Sequence, residues 1–593
     1  MTTKEKKLYQ KVLDRFDSAE DNQKDLFKKF SRLEKIYDAV FDKTPITGSK
    51  AYIPTGWSSV ETLIPRLLNR KPIIHYIPGG AEDIDRAKKL SRLFSYWYEK
   101  TGAFFTMVNW LKSALIYGTS FARLDWEFKI CPRKFWSASG DNYLVSEEVV
   151  VEMDDPKLRL IDNYNIFVDP SATNIDEARW IIERIYTTVE SLEKENEDMK
   201  YLKERLLEKG ETEMANSIVL YSNLSEVKRA NKGSIEREEY ERDKKELSDL
   251  DSTAMDNTVN EVALLEMWDM QTKETVLIDT VSGEIIRKRS FPYWHYSHPY
   301  LVAYDSIKPL SLWGKGELEP IEKVQHVINT ITNQKVDNIN YILNFMWKAR
   351  PTIDDDELVP EQGGIIHVSD MNDVEPLNMP HVTQDAHQEL AYWDGVVQNV
   401  LGINDYIRGL GQSGDQTAAE VQIKTQQANF RFQHKIQLFE DYTLKKLGNM
   451  VLALYQQHLT DEKILKIFGE NGMEFERLTP EDLLGQYDAM PEAGSSAPDD
   501  EQTTKEQLMN FYMLVKDDPM WNKTELAKKV AEKFGFKNVE LILNNDGGGM
   551  GDEIAMMQQL QGAAPQPTQP EAAAPPEVEG AGLLSPQDLA INY

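Results

Sequence analysis

ELEPIEKVQHVINTITNQKVDNINYILNFM, residues 317–346, places Leu318, Ile321, Val324, Ile328, Ile331, Ile339, Ile342 and Met346 at steps of three and four, with Lys335 taking one position in the series. That spacing keeps one face of an α-helix apolar. The 317–347 span predicts a helix of roughly 46 Å at ~1.5 Å per residue. Its other face is rich in amides: Asn329, Asn333, Asn340 and Asn344. A bundle helix would show the same pattern, so the context decides. Arg350-Pro351 should stop the helix, because proline cannot donate to the ladder and disfavours a helical residue before it.

The next stretch, RPTIDDDELVPEQGGIIHVSDMNDVEPLNMP (350–380), alternates strand-like pieces with acidic turns. HVTQDAHQELAYWDGVVQNVLG (381–402) then resumes a helical pattern. A short β-like module therefore sits between two helices, and its ends must lie close together. GINDYIRGLGQSGDQ (402–416) follows, with Gly409, Gly411 and Gly414 in a literal G-x-G-x-x-G. The dinucleotide reading fails, because that fingerprint needs a hydrophobic strand before it and here a helix ends at Gly402. A flexible loop explains the glycines. Thr417 and Glu420 form a capping box that opens a long helix, whose apolar positions run without proline to about His458. At ~1.5 Å per residue it would span roughly 60 Å.

Upstream, residues 3–42 read as amphipathic helices, and Ala87–Glu99 and Met107–Tyr117 as helices, the latter capped by Gly118. Phe121–Ile130 reads as a strand. From Ser146 to Tyr186 short β-branched and aromatic runs alternate with turns. VALLEMWDM and ETVLIDT read as a hairpin completing that sheet. Residues 188–250 carry dense mixed charge and read as exposed helices or a mobile insertion. In the aromatic segment FPYWHYSHPYLVAYD (291–305), packing is the better reading of His295 and His298. A base-stacking platform needs basic residues beside it, and a metal needs a third ligand. Downstream, Thr479–Tyr487, Thr503–Lys516 and Thr524–Phe534 read as helices, and the Pro- and Ala-rich end beyond Asn544 as low complexity.

Bulk properties narrow the function. The 593 residues exceed one domain, and 41% hydrophobic with 28% charged residues fits a globular chain. With Cys131 as the only cysteine, no intrachain disulfide or cysteine cluster can form. Sixty-seven Lys and Arg against 98 Asp and Glu give a net charge of −31, the wrong sign for gripping phosphates. No G-x-x-x-x-G-K-[ST] loop occurs, and nine scattered histidines form no catalytic grouping. No run approaches the ~18 apolar residues of a membrane span, and MTTKEKKLYQ lacks the core of a secretion signal. Residence in the cytosol is expected.

The order of helix, β-like module, returning helix, glycine-rich loop, long helix and helical C-terminal region resembles the portal, or head-to-tail connector, of tailed double-stranded DNA phages. Local wording agrees: SALIYGTSFARLDWE is similar to a wing segment, LSLWGKGELEPIEKVQHVINTITNQ to a first stem helix, and QTAAEVQIKTQQANFRFQHKIQLFEDYTLKKLGNMV to the helix after the tunnel loop. The likeness covers the chain from about Met107 onward.

The resemblance implies a mostly α-helical α+β portal fold, assembled as a ring. Its parts are a wing over 1–316, a stem helix at 317–347, a clip at 348–380 and a second stem helix at 381–402. A tunnel loop at 403–416, a long wing helix at 417–460, a crown-like helical region at 461–545 and a disordered tail at 546–593 complete it. The block at 188–250 corresponds to no named part. The resemblance also implies a ring of twelve copies at one capsid vertex of the virion, without enzymatic activity, metal, cofactor or membrane. Double-stranded DNA would pass through it, and the terminase large subunit, head–tail adaptor or tail proteins, major capsid protein and scaffolding protein would be its partners. Asn404, Asp405, Tyr406, Arg408, Gln412, Ser413 and Asp415 would lie on the loop facing DNA. Asp354, Asp355, Asp356, Glu357 and Glu361 would lie on the clip facing the motor and then the adaptor. A non-portal helical scaffold or head–tail adaptor is the alternative. The strand-rich region between Ser146 and Thr280 disfavours it.

Overall fold

The computed structural model describes residues 2–41, 48–80, 83–139, 142–230, 261–344, 346–349, 370, 374–377, 383–403, 431–469, 472–492, 494, 501–515 and 530–531. The chain divides into two compact units, Met1–Asp499 and Asp500–Tyr593. In the second, the helix expected at Thr503–Lys516 runs Glu501–Val515. Most of Thr524–Phe534 lies outside the described residues, as does the whole 546–593 tail.

The first unit opens on one long helix, Thr3–Tyr37, rather than several. Thr2 and Glu5 close a capping box at its start: the Glu5 N–H donates to Thr2 Oγ1 at 3.3 Å and the Thr2 N–H to Glu5 Oε2 at 2.5 Å. Three further helices, Thr55–Leu67, Ile84–Lys100 and Ala103–Tyr117, pack around Trp97, Trp110, Phe94 and Leu63, all essentially buried. Each such side chain contributes about 1.5–3 kcal/mol by leaving water. Strand β1 (Ile74–Pro78) lies between the first two of these.

β2 (Thr119–Ser139) and β3 (Asn142–Ile161) form a hairpin far longer than the Phe121–Ile130 strand expected. β4 (Ile166–Val168), β5 (Trp180–Thr188), β6 (Glu261–Asp269), β7 (Glu274–Asp279) and β8 (Ile285–Ser290) make a five-stranded sheet in chain order, with every neighbouring pair antiparallel. The expected hairpin of VALLEMWDM and ETVLIDT is β6–β7, and it does pair with the earlier β5. β9 (Tyr300–Tyr304) joins β2 to give the order β3-β2-β9.

The five-stranded sheet is covered on both faces. Val12 and Ala19 of the first helix pack on Phe167, Ile182, Leu265 and Met267. Val189, Leu192, Leu224 and Val227 pack with Val262, Leu264, Leu277 and Ile286. The described part of the charge-rich block is thus a cover made of helices Val189–Glu208, Thr212–Ser217 and Leu224–Ala230. This part of 188–250 is helical and largely exposed, and it also seats a buried apolar side on the sheet. A few apolar residues at helical spacing are enough to seat it, although charge dominates its sequence.

The helix read from 317–347 spans Leu318–Leu343. It ends before Arg350-Pro351 can act, because Asn344 leaves the helical region (φ −116°, ψ 64°) and the next residues join a ladder. That ladder pairs β10 (Trp347–Ala349) with β11 (Val374–Pro376) antiparallel, so the two ends of the intervening segment do meet. A second helix, Thr383–Leu401, returns against the first, and Lys335 Nζ lies 2.8 Å from His387 Nε2. The capping box at Thr417 and Glu420 lies outside the described residues. Helix resumes over 431–438, passes through a π-helical turn at Phe439–Leu444 and continues as Lys445–His458.

Beyond His458 the helical expectation for 461 onward is corrected. β12 (Lys463–Gly469) and β13 (Gly472–Leu478) form a hairpin. The residues read as a helix at Thr479–Tyr487 hold only a short 3-10 turn, Pro480–Leu483. Gly485 then turns the chain with φ +130°, and β14 (Tyr487–Pro491) pairs with β1 some 400 residues away. A remote partner, not local propensity, sets that conformation.

Candidate functional site

Three stretches far apart in sequence, around Gly118, Gly314 and Lys435, meet at one junction. The helix Ala103–Tyr117 stops at Gly118, as its sequence predicts. Gly118 has φ +90°, and its N–H donates to the Ala114 carbonyl at 2.7 Å. A Cβ on Gly118 would lie 2.6–2.7 Å from backbone atoms of Lys315 and Gly314. One on Gly314 would lie 2.6 Å from the carbonyl oxygens of Gly118 and Ser306, and one on Gly316 2.5 Å from that of Ile116. Two backbones touch here, and only glycine leaves room. The approach is hydrogen-bonded: the Gly314 N–H donates to Thr119 Oγ1 at 2.7 Å, the Lys315 N–H to the Ser306 carbonyl at 2.9 Å and the Glu317 N–H to the Leu115 carbonyl at 2.8 Å.

Lys435, from the long helix, reaches into the same junction and pairs with both Asp305 and Glu317. Burial pushes the Asp305 carboxyl up to about 8, reinforced by Glu317 and opposed by Lys435. Burial also opposes the Lys435 ammonium, but the two carboxylates outweigh it and hold that group above its ordinary value. One turn on, the π-helical segment lets Thr443 Oγ1 donate to the Val302 carbonyl at 2.8 Å while Phe439 and Leu444 stay buried. Such single π turns often mark functional places in helices. The root of the 318–343 helix is therefore fixed to the β2–β9 sheet and to the long helix together.

The amide face of the 318–343 helix holds the connecting segment 48–54. Ser49 donates from its N–H and its hydroxyl to Asp337 Oδ1, at 2.8 and 2.6 Å. The Ala51 N–H donates to Asn333 Oδ1 at 2.7 Å, and Asn333 Nδ2 returns a bond to the Ala51 carbonyl at 3.0 Å. The Ile53 N–H donates to Asn329 Oδ1 at 3.1 Å, and Gln325 Nε2 to the Ile53 carbonyl at 2.6 Å. The rungs match because four residues of helix rise ~6.0 Å, while two residues of extended chain advance ~6.6 Å. The sequence showed Asn329 and Asn333 as a polar face only. The spacing of Gln325, Asn329, Asn333 and Asp337 was the signal for the ladder.

A second buried polar cluster joins the two sheets. Arg123 of β2 pairs with Glu183 at 2.6 Å, Glu266 at 2.5 Å and Asp125 at 2.5 Å, and the Tyr300 hydroxyl donates to Glu183 at 3.0 Å. Beside it, the aromatic 291–305 segment packs: Tyr293 stacks on Trp268 with centroids 6.0 Å apart and donates its hydroxyl to Asp125 at 2.6 Å. His298 is buried; its Nδ1 accepts the Tyr300 N–H at 3.2 Å and its Nε2 lies 3.4 Å from Asp176. Burial holds His298 below its ordinary value, and His295 down to about 4. No group of three or more potential metal ligands occurs among the described residues.

The glycine-loop residues Asn404, Asp405, Tyr406, Arg408, Gln412, Ser413 and Asp415 lie outside the described residues, as do Asp354, Asp355, Asp356, Glu357 and Glu361. The structure does bring together the three worded stretches. SALIYGTSFARLDWE supplies Gly118, LSLWGKGELEP supplies Gly314, Gly316 and Glu317, and the long-helix stretch supplies Lys435. The family model of the Phage SU10 portal protein matches residues 137–580. The chain belongs to that family. It is thereby a phage portal protein by descent, and the mixed helix-and-strand fold agrees. No curated protein matches the portal chain. Portal proteins are structural components, not a known enzyme family. The match spans Gly314, Gly316, Glu317 and Lys435 of the junction, whereas Gly118 precedes it.

Proposed function

We infer that copies of this portal chain assemble into a closed ring at one vertex of the capsid and line a channel through which double-stranded DNA enters during packaging and leaves during ejection. Family membership carries the reading. The paired helices Leu318–Leu343 and Thr383–Leu401, joined at their far end by β10–β11, support it as the stem of such a channel. The module that they flank is the clip. Asp354, Asp355, Asp356, Glu357 and Glu361 on it dock the terminase large subunit and later the adaptor or tail. The loop carrying Asn404, Asp405, Tyr406, Arg408, Gln412, Ser413 and Asp415 meets the DNA. The net charge of −31 suits a wall that lets a duplex slide, since like charge repels phosphates without offering a place to lodge. Scaffolding and major capsid proteins are the remaining neighbours, and twelve is the copy number expected.

Electron microscopy of the purified chain tests the ring: closed annuli with a central hole are expected, and monomers or open filaments would refute it. The loop's role is tested separately by deleting residues 405–414. Virions carrying that deletion should contain portal rings but retain DNA poorly, and normal genome retention would count against the assignment.

A further inference from the structure

The β2–β3 hairpin outgrows the sheet from which it springs. β9 pairs with β2 only over Thr119–Arg123, and the Leu124 N–H adds one bond to the Pro299 carbonyl. The Val189–Glu208 helix shields the next part of the strand, where Phe128 stacks on Tyr201 at 6.4 Å and Asp198 accepts a backbone bond from Ile130. Past Ile130 the two strands bond only to each other among the described residues. β3 stands at the sheet's edge along its whole length. Nine further residues of strand at ~3.3 Å each give a ribbon of roughly 30 Å with two open edges. A lone two-stranded ribbon is marginally stable in water, and open edges invite another strand.

Its side chains also look unfinished for a solvent-facing element. Phe135 on one face and Val145 and Val149 on the other are 42%, 54% and 52% exposed. Charge separates cleanly between the strands. The outer part of β2, residues 129–139, carries Lys129, Arg133 and Lys134 and no acid. The facing part of β3, residues 142–152, carries Glu147, Glu148 and Glu152 and no base. Arg133, Lys134, Glu147 and Glu148 are exposed, and among the described residues none of the four is held in an ion pair.

We propose that this ribbon is the contact between neighbouring copies, with the basic β2 edge of one copy adding to the acidic β3 edge of the next. The proposal rests on the ring reading above and names the surface that builds the ring. Each basic strand would then stand between two acidic ones. The contact is head-to-tail, joining different edges on the two partners, and that is the kind of interface that repeats around a closed ring. The exposed valines and Phe135 would be covered by the neighbouring ribbon. A two-fold pairing of like edges would instead set acid against acid, so the charge pattern selects the head-to-tail form.

Charge reversal in the full-length chain tests this. In R133E/K134E both strands are acidic, and in E147K/E148K both are basic, so in either variant alone every neighbour contact is repulsive. Sedimentation should show rings of the unaltered chain at concentrations where each variant stays unassembled, with a requirement raised about tenfold or more, equivalent to about 1.4 kcal/mol per contact. An equimolar mixture should restore rings in which the two variants alternate, read by native mass spectrometry as equal numbers of each. The quadruple variant, with its charges exchanged but still complementary, should assemble like the unaltered chain and controls for damage to the hairpin itself. If either double variant forms rings as readily as the unaltered chain, or if the folded variants fail to co-assemble, the ribbon is not the contact. If the unaltered chain forms no rings at all, the ring reading falls first.

Discussion

Replacing Asn333 by alanine should release the 48–54 segment from the 318–343 helix without unfolding the helix. Asn333 makes two bonds to Ala51, one from the Ala51 N–H at 2.7 Å and one to its carbonyl at 3.0 Å. At about 1 kcal/mol net for each, their loss weakens the segment's attachment by about 2 kcal/mol. At 1.36 kcal/mol per tenfold change, this corresponds to about a 30-fold fall in the hydrogen-exchange protection of the Ala51 and Ile53 amides. The third bond of Asn333, to the Asn329 carbonyl at 2.9 Å, lies within the helix and does not hold the segment. Hydrogen exchange read by mass spectrometry on peptides covering 49–53 makes the measurement. Asn340→Ala, at an exposed amide on the same helix, is the control. Unchanged protection over 49–53, or an equal loss across the whole chain, would refute the ladder as the holding element.

Further outcomes follow from the junction and from the buried clusters. Gly314→Ala places a methyl 2.6 Å from two carbonyl oxygens, both backbone, so neither can swing aside. A loss of about 3 kcal/mol is expected, seen as a large drop in melting temperature or in soluble yield. Arg123→Met strands the buried carboxylates of Glu183 and Glu266, and calorimetry should show the first unit destabilised by about 3–5 kcal/mol. Asp305 binds its proton up to about pH 8 in the folded chain, against an ordinary value of 3.8. Its stabilising contribution is therefore complete below about pH 4 and lost as pH rises towards 8, with a slope of at most about 1.4 kcal/mol per pH unit. Melting temperatures of the unaltered chain should fall between pH 5 and 8, and Asp305→Asn should flatten that part of the profile; parallel profiles would show that Asp305 does not titrate there.

Periodicity made the local elements legible and left the remote pairings hidden. The helix ending at Gly118 could be read because a glycine after an apolar periodic run is a local stop signal. The 318–343 helix could be read from its apolar series, although its end came earlier than Pro351, where Asn344 turns the chain into β10. Nothing near Tyr487–Pro491 announces a strand whose partner is Ile74–Pro78, and nothing near Ser49 announces a helix face 288 residues away. The cover over the second sheet face was masked in another way, because Val189, Leu192 and Val227 are few among many charges. Of the junction, the sequence showed each stretch separately. Their meeting follows from backbone contact at glycines, which leave no periodic trace.

The ladder between 49–53 and the 318–343 helix also behaves as a vernier. Its two scales differ by ~0.6 Å per rung, so the match is close over the span from Gln325 to Asp337 and drifts out of phase on either side. The next position in the series is Tyr341, which offers no amide to extend it. A slide by one rung towards Thr55 would bring Asp337 opposite Ala51 and Asn329 opposite Thr55, whose N–H already donates to the Ile53 carbonyl at 2.8 Å. A slide in that direction therefore loses a rung, and the chain from Ser49 to the start of the Thr55–Leu67 helix is gauged against the axis of the 318–343 helix.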